Sequence, residues 1–257
     1  MFESDYNRGV WRRQGENGVC TGEDVVPAAR SAYLSSVLSP WTLIILAFAL
    51  ASVPSSAQSS SIYIERTGAR ETTIRIGIDP LPAGFLIRTY MSDGDYHEVE
   101  YGPLDSTVRY QVRSAARGID YTAIRAQDVI LYEGTLGGRP LMRAQKIDAH
   151  PWYETLELSL SGFALDAGLP QPVFWIIQPW EARAYLMQAA REGSGAVTLD
   201  GMRVDAIRLR VRPYGLLSRM WSSLYWFRSS DGRYLRYEAV RGLPGTPTTV
   251  VELVTEE

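Results

Sequence analysis

Apolar and polar side chains alternate with a period of two in several short runs of the chain. In residues 72–79 (TTIRIGID) the isoleucines fall on one face, and in 107–113 (TVRYQVR) Val and Tyr alternate with Arg and Gln. In 207–212, Ile, Leu and Val alternate with three arginines. Successive side chains of a strand point to opposite faces of a sheet, so each run predicts a half-buried β-strand.

Turn signals separate these runs. Asp200-Gly201 and Asp231-Gly232 lie between stretches that favour extended backbone, which is typical of β-hairpins. The stretch 200–240 therefore predicts an antiparallel meander. Further strands are predicted at residues 85–91, 96–101, 119–126, 129–134, 141–147, 152–160 and 248–254. A sheet of about ten or more strands curls, so we expect a barrel, a half-barrel or a sandwich.

Residues 181–192 (EARAYLMQAARE) fit two structures. Their helix propensity is high, and Pro179 stands just before them. The Gly193-Ser194-Gly195 sequence that follows resembles a hairpin turn, which favours a strand. Both interpretations stay open, and the context favours the strand.

An apolar core at residues 41–50 follows Arg30 and precedes small residues. Ten residues are too short for an ordinary membrane span but fit the hydrophobic region of a signal peptide. We expect residues 1–57 to be a signal peptide with a long polar extension, cleaved before Gln58, and 58–257 to be one periplasmic β domain. An uncleaved inner-membrane anchor at 37–53 is the alternative, and a start codon placed too far upstream would explain residues 1–25.

Composition excludes several classes of function. The net charge of −3 argues against a nucleic-acid binder. Cys20, the single cysteine, precedes the apolar core, so the exported part has no disulfide, zinc–cysteine site or catalytic thiol. It has two histidines and no HExxH, GxSxG, Walker or GxGxxG motif. We expect a non-enzymatic protein without a cofactor.

A polar cluster combines Asp93, Asp95, His97 and Glu98. Its carboxylates suit Ca²⁺. Asp and Gly are equally expected at a solvated hairpin tip. We favour the hairpin tip and predict no metal site.

Two rows of arginine are candidates for contact with an anionic surface of lipid head groups or lipopolysaccharide phosphates. These rows are Arg109 with Arg113, and Arg208 with Arg210 and Arg212. The alternative, which we favour, is a solvated sheet face whose charge is balanced by acidic residues on neighbouring strands.

An aromatic-rich run holds candidates for the lining of a hydrophobic-ligand cavity. They are Trp221, Tyr225, Trp226, Phe227, Tyr234 and Tyr237. A cavity for an acyl chain would be concave and mostly apolar. Core packing is the alternative that we favour, with the second face covered by a partner or a helix.

Four segments resemble a family of exported bacterial proteins of unknown function: WYETLELSLSGF, FWIIQPWEARAYL, YWFRSSDGRYLRYEAVRGLPGTP and VVELV. The resemblance covers about residues 109–254, and the hairpin YWFRSSDGRYLRYE is its most specific part. The family is similar in fold to the periplasmic lipoprotein carriers. The resemblance implies a curved antiparallel sheet, an unclosed barrel with helical segments against its concave side. Together with the strand pattern, it leads us to expect a mostly β protein, a half-barrel or unclosed barrel, with at most one or two short helices.

The expected function is binding of a hydrophobic or amphipathic envelope component, such as a lipid or an acyl chain, in the half-barrel. Two alternatives stay open. One is a structural or assembly factor that contacts another envelope protein through its exposed strands, and the other is a hydrolase with a dispersed site. The sequence leaves the oligomeric state open.

Overall fold

The computed structural model describes residues 59–102, 106–215, 221–240 and 247–256. The strands are β1 Ser59–Thr67, β2 Arg70–Leu81, β3 Gly84–Met91, β4 Tyr96–Tyr101, β5 Thr107–Ser114, β6 Ile119–Ala126, β7 Val129–Leu136, β8 Arg139–Lys146, β9 Val173–Gln178, β10 Arg183–Leu199, β11 Met202–Pro213, β12 Ser223–Arg228, β13 Tyr234–Val240 and β14 Thr248–Glu256. The helices are a 3₁₀ turn at Ala115–Arg117, α1 Leu156–Ser159 and α2 Ser161–Leu165.

All fourteen strands form one antiparallel sheet in the order β8-β7-β6-β5-β4-β3-β2-β1-β14-β13-β12-β11-β10-β9. Two meanders, β1 to β8 and β9 to β14, meet where β1 pairs with β14. Strands β8 and β9 are the two edges, so the described strands do not close into a barrel. This confirms the expected fold, a mostly β unclosed barrel with two short α-helices.

Inward-facing side chains of both meanders form the core. The first meander buries Ile87, Val112 and a row of tyrosines, and the second buries Leu209 and Phe227. In β11, Leu209 and Val211 are buried and Ile207 packs against the same cluster, as the alternation predicts. The period of two thus sets which face of each strand is apolar.

Two local predictions were wrong. Residues 152–160, predicted as a strand, contain α1, because Leu156 and Leu160 are four residues apart and both turn into the core. The predicted turn at 193–195 lies inside β10, where the register shifts between Arg191 and Gly193. Gly193, with φ +135°, takes up this β-bulge. The ambiguous stretch around residue 183 is strand β10.

The chain between β8 and β9 crosses the concave side of the sheet. We call residues 148–165 the inner segment. Trp175 N donates to Pro151 O at 2.8 Å and Tyr153 N to Trp175 O at 2.9 Å, which covers the free edge of β9. On the other side, Thr107 N of β5 donates to Trp152 O at 2.7 Å. The inner segment therefore connects the two meanders.

The second edge strand is connected to β10 by a side chain. Gln145 of β8 donates from Nε2 to Ala184 O and accepts from Ala184 N, both at 2.8 Å. Arg143 Nη1 donates to Ala182 O at 3.0 Å. The amide of Gln145 thus takes the place of a peptide group in a strand ladder.

The outer face also has a small core. The tip of the β10–β11 hairpin buries Val197 and Ala206 with Leu235 of β13, and Trp226 and Leu253 pack against them. This part of the second face is therefore covered by the chain's own hairpin.

The predicted signal peptide, its cleavage site and the alternative anchor at 37–53 lie outside the described residues. Within the described ranges, no helix has the length and apolar character needed to cross a membrane.

Two half-buried side chains with shifted pKa values, Glu154 and His97, predict the pH dependence of stability. Burial raises the pKa of Glu154 from 4.5 to about 8 and lowers that of His97 from 6.5 to about 4. Between pH 4.5 and 8 the folded chain keeps the Glu154 proton that the unfolded chain releases, so stability falls as pH rises. Between pH 6.5 and 4 the unfolded chain protonates at His97 first, so stability falls as pH falls.

Between pH 4.5 and 6.5 the two effects oppose each other, so we expect thermal unfolding to show a broad maximum there. At higher pH the stability should fall by on the order of 2 kcal/mol, or roughly 5 °C in Tm, and Glu154→Gln should remove this decrease. At lower pH the wild type should change little, whereas Glu154→Gln should lose stability as the pH falls through this range and His97→Gln should gain it. Calorimetry from pH 4 to pH 9 checks this, and a Glu154→Gln variant that keeps the full alkaline decrease would contradict the assignment.

Candidate functional site

A cavity of about 400 Å³ lies on the concave side, beside α1. Strands β1 and β2 form one wall, the inner segment another, and the β12–β13 turn with the end of β14 the third. Four segments far apart in sequence therefore meet at this position. Pockets that hold small molecules in proteins have volumes of about 300–1,000 Å³, so the cavity is at the small end of that range.

The β1–β2 wall is mostly apolar, with Ser61 as its polar member. Ile76 and Ile78 project inward from β2, and Leu158 of α1 lies across from them in the lining. Tyr63 of β1 and Tyr234 of β13 stack with ring centroids 5.2 Å apart, and Tyr63 OH donates to Tyr234 O at 3.3 Å. The alternation of β1 and β2 explains this wall, because residues 63, 76 and 78 all point to the concave face.

The opposite end of the cavity is charged. Arg228 donates from Nε and Nη2 to the two carboxylate oxygens of Asp231, both at 2.9 Å, and its Nη2 lies 3.0 Å from Glu256 Oε1. These bonds raise the pKa of Arg228, and the same bidentate pair lowers the pKa of Asp231. Glu157 of α1 also lines the cavity.

Arg233 is the unusual group at this end. Its Nε is buried without a hydrogen-bond partner in the described structure. Glu256 Oε1 is 3.6 Å from it, which is beyond hydrogen-bonding distance. A buried donor without an acceptor costs free energy, so this position can be satisfied by an oxygen of a ligand.

The inner segment is held over the cavity by the Asp231-Gly232 turn. Ser161 Oγ donates to Gly232 O at 2.8 Å. A Cβ on Gly232 would lie 2.3 Å from Ser161 Oγ and 3.1 Å from Leu165 Cδ1. Gly232 therefore permits both the left-handed backbone (φ +72°) and the close approach of α2.

The aromatic candidates lie in different surroundings. Tyr225, Phe227, Tyr234 and Tyr237 lie in the core of the second meander, and of these Tyr234 also lines the cavity. Trp226 is on the outer face, with the Arg236 guanidinium 5.6 Å from its ring centre. The structure brings four of the six together, mainly as core, and a ligand role for them stays a prediction.

Most of the candidate arginines pair with acidic neighbours. Arg109 Nη1 is 3.0 Å from Glu98 Oε1 and Arg113 Nε is 3.4 Å from Asp120 Oδ1. Arg208 and Arg210 both pair with Glu192. With its amide turned toward Arg212, Gln188 accepts from that guanidinium at 2.6 and 2.9 Å. Contact with an anionic surface stays a prediction.

Arginines also engage the carboxylates of the predicted polar cluster. Asp93 pairs with Arg70, Asp95 with Arg117, and Glu98 with Arg88 and Arg109. His97 Nδ1 shares a 2.7 Å hydrogen bond with Tyr110 OH. No group of three acidic, histidine or cysteine side chains is arranged to hold a metal ion in the part of the chain that the structure describes.

Sequence analysis missed the charged residues of the cavity. Arg228 and Arg233 flank the predicted Asp231-Gly232 turn, and this is the one local signal that could have indicated them. Glu157 and Glu256 reach the site through the inner segment and the last strand. Neither has a local signal, because the site depends on contacts between distant segments.

The Gly232 contact predicts a difference between two similar turns. Gly232→Ala should destabilise the protein and loosen α2, because the new methyl group meets Ser161 and Leu165. Gly201→Ala is the matched control: Gly201 is also the glycine of an Asp-Gly turn, with φ +77°, but nothing lies within 4 Å of its added Cβ. We expect Gly232→Ala to cost about 1–3 kcal/mol more than Gly201→Ala in chemical denaturation. Equal losses would contradict the contact.

Comparison with known proteins shows the fold. No protein-family model and no curated protein sequence matches the chain. Among solved structures, the chain is similar to a beta-barrel-like protein of the domain of unknown function DUF1849 from Brucella abortus. That similarity has a TM-score of 0.55 and 7% identity, and it covers 78% of this chain and 97% of the other.

Two further structures were compared. The hypothetical lipoprotein YmcC from Escherichia coli gives a TM-score of 0.36 at 12% identity, over 86% of this chain and 97% of the other. A DUF1329 family protein from Desulfovibrio piger gives 0.26 at 11% identity, over 83% and 90%. Both scores are too low to carry an argument. The resemblance to exported proteins of unknown function thus holds for the fold, which this chain shares with the Brucella protein.

Proposed function

We propose that this protein is an exported, non-enzymatic binding protein that holds one end of an amphipathic envelope molecule in the cavity beside α1. The observation that carries the proposal is the division of the cavity. Ile76, Ile78 and Leu158 make one side apolar, and Arg228, Arg233 and their carboxylate partners make the other charged. A molecule with an apolar part next to a polar group matches this division.

The size of the cavity limits what it holds. Its volume of about 400 Å³ suits a polar group and the first part of an apolar chain. The rest of the concave side is occupied, since Tyr110, Tyr121 and Tyr132 are buried there with Trp152. The remainder of the ligand therefore extends out of the cavity mouth.

Two features of the sequence support the cellular setting and the absence of catalysis. The apolar core at 41–50 is typical of export. The exported part has no catalytic motif, and its two histidines are His97, half-buried and hydrogen-bonded to Tyr110, and His150, bonded to Asp148. Binding without turnover fits these features.

A second candidate function, contact with another envelope protein, is favoured by the outer face of β6 to β8. Ile124 and Leu131 are directly opposite each other there and are 46% and 47% exposed, and Met142 is 88% exposed. Exposed apolar side chains in a group are typical of interaction sites.

Ligand binding is tested on protein purified from the envelope fraction without detergent. Displacement of the apolar fluorophore N-phenylnaphthylamine by dodecyl maltoside reports occupancy of the cavity. Ile78→Trp places a larger ring in the cavity and should weaken binding at least about ten-fold. Ile124→Trp, on the outer face, is the control and should bind as the wild type does.

Native mass spectrometry of the same material should show a bound amphiphile in the wild type and less of it in Ile78→Trp. Equal binding by both variants would exclude the cavity as the site. Co-purification of an envelope protein, lost in Ile124→Trp, with no bound amphiphile would favour the second candidate instead.

A further inference from the structure

The two edges of the sheet differ in how they are covered. At the β9 edge, the backbone of the inner segment forms two hydrogen bonds with Trp175, at 2.8 and 2.9 Å. At the other edge, the described chain gives β8 no strand partner besides β7. Free peptide groups along an edge strand are a template for pairing with another strand. Strand β8 is therefore a candidate interaction surface.

The register of the β7–β8 hairpin identifies the peptide groups that point outward. Leu136 pairs with Arg139 around the two-residue turn Gly137-Gly138, and such a flanking pair exchanges both of its hydrogen bonds. Every second residue of β8 then faces β7, and the bond from Ile147 N to Asp128 O, at 2.8 Å, continues this alternation. The residues whose N–H and C=O point to the open edge are Met142, Ala144 and Lys146.

This open edge is short and held in place. Pro140 has no N–H, so it ends the row of outward donors on one side. On the inner face, the side chains of Arg143 and Gln145 bond to backbone carbonyl groups at the start of β10. No described residue forms a hydrogen bond with the outward peptide groups of 142–146. A row that is already ordered loses little conformational freedom when it is paired.

The outer face next to the edge carries an exposed apolar row. Ile124 lies opposite Leu131, and Leu131 lies opposite Ala144, so the row crosses β6, β7 and β8 and stops at the edge. All three residues are exposed, and Met142 of β8 is 88% exposed. A strand added to β8 with small or apolar residues at the facing positions would continue this row and cover it.

Two charged side chains on the same face have no counterpart in the described chain. Lys146 and Glu133 are exposed, and neither forms an ion pair with a described residue. Glu133 lies opposite Met142, which is four residues from Lys146 along β8. At the rise of a strand, the two charges of one chain are therefore about 14 Å apart. Each of them is available to a partner of opposite charge.

We propose that β8 pairs with β8 of a second copy of this chain, antiparallel, about a two-fold axis at Ala144. The three outward N–H groups then meet the three outward C=O groups, because Ala144 lies opposite Ala144 and Met142 opposite Lys146 of the other copy. Glu133 of that copy is the next residue in line, with its Cα about 10 Å from that of Lys146, which two long side chains span. An axis at Arg143 would instead place two guanidinium groups opposite each other.

The surface is thus complementary to itself, as a two-fold dimer requires. The apolar row Ile124–Leu131–Ala144 of one copy continues into the same row of the other, and each Lys146 reaches a Glu133. The dimer goes beyond the proposed function, since the cavity lies on the concave side of each copy and lies apart from β8.

Cross-linking tests the axis. Two Ala144 residues would have their Cα atoms about 5.5 Å apart, which suits a disulfide. We expect mild oxidation of protein from the envelope fraction to convert at least about five-fold more of Ala144→Cys than of Ala126→Cys into a covalent dimer. Ala126 is the matched control, because it is also exposed but lies at the end of β6. The wild type, whose single cysteine is Cys20, gives the background.

Charge reversal tests the register. In sedimentation equilibrium the wild type should form a dimer, and Lys146→Glu or Glu133→Lys should each raise its dissociation constant about ten-fold. The double variant should return to within about three-fold of the wild type, because it restores opposite charges across the axis. The same two residues are too far apart within one chain to produce this rescue. The Tm of each variant checks that it is folded.

Each other result overturns the inference. A wild type that sediments as a monomer, or equal cross-linking of the two cysteine variants, means that Pro140 and Lys146 keep the edge unpaired. A double variant as weak as the single variants excludes the axis at Ala144. A monomer that retains an envelope protein, lost in Ile124→Trp, favours the second candidate function. Fluorophore displacement from the cavity is measured separately, so the proposed function does not depend on these results.

Discussion

A fourteen-stranded sheet with two free edges depends on the segment that lies inside it. Edge strands expose unpaired peptide groups, and a curved sheet must also fill its concave side. The inner segment does both, because its backbone pairs with Trp175 at the edge of β9 while Trp152 is fully buried. Glu154 makes the link specific: its Oε1 accepts from Ile177 N at 2.7 Å and from Trp152 Nε1, and its own N donates to Thr107 Oγ1 at 3.0 Å.

Three buried tyrosines bring hydroxyl groups into the interior, and each hydroxyl has a hydrogen-bond partner. Tyr110, Tyr121 and Tyr132 come from three successive strands, with ring centroids 6.4 and 6.1 Å apart. Their hydroxyl groups bond to His97 Nδ1, Pro179 O and Gln145 Oε1. The tyrosine rings thus fill apolar volume. Tyr121 bonds to the turn before β10, and Tyr132 bonds to Gln145 of β8, which itself bonds to Ala184 of β10. These contacts hold the two meanders together without a closed ladder of strands.

Most of the strands were predictable because their pattern is local, but β1, β9 and the helices of the inner segment were not predicted. Residues 72–79 and 207–212 have one buried face each, so a period of two identifies them. In residues 156–160, Leu156, Leu158 and Leu160 satisfy a period of two, whereas the pair 156 and 160 also fits a helical turn. The pattern cannot choose between these, and packing against the second meander decides for the helix. The turn predicted at 193–195 fails for a related reason, since glycine serves a bulge as well as a turn.

The position of the cavity follows from a difference in packing between the two parts of the interior. The first meander is filled by large side chains from β5 to β7 together with Trp152 of the inner segment, so it leaves no room for a long chain there. Beside α1, the inward residues of β1 and β2 meet the β12–β13 turn instead, and that turn contributes Arg228, Asp231 and Arg233 in place of apolar groups. These polar side chains cannot fill an apolar interior without losing their ion pairs, so the packing stops and a cavity remains. The β12–β13 hairpin therefore supplies the charged groups of the candidate site, and because these groups do not pack into the apolar core, a cavity remains beside them.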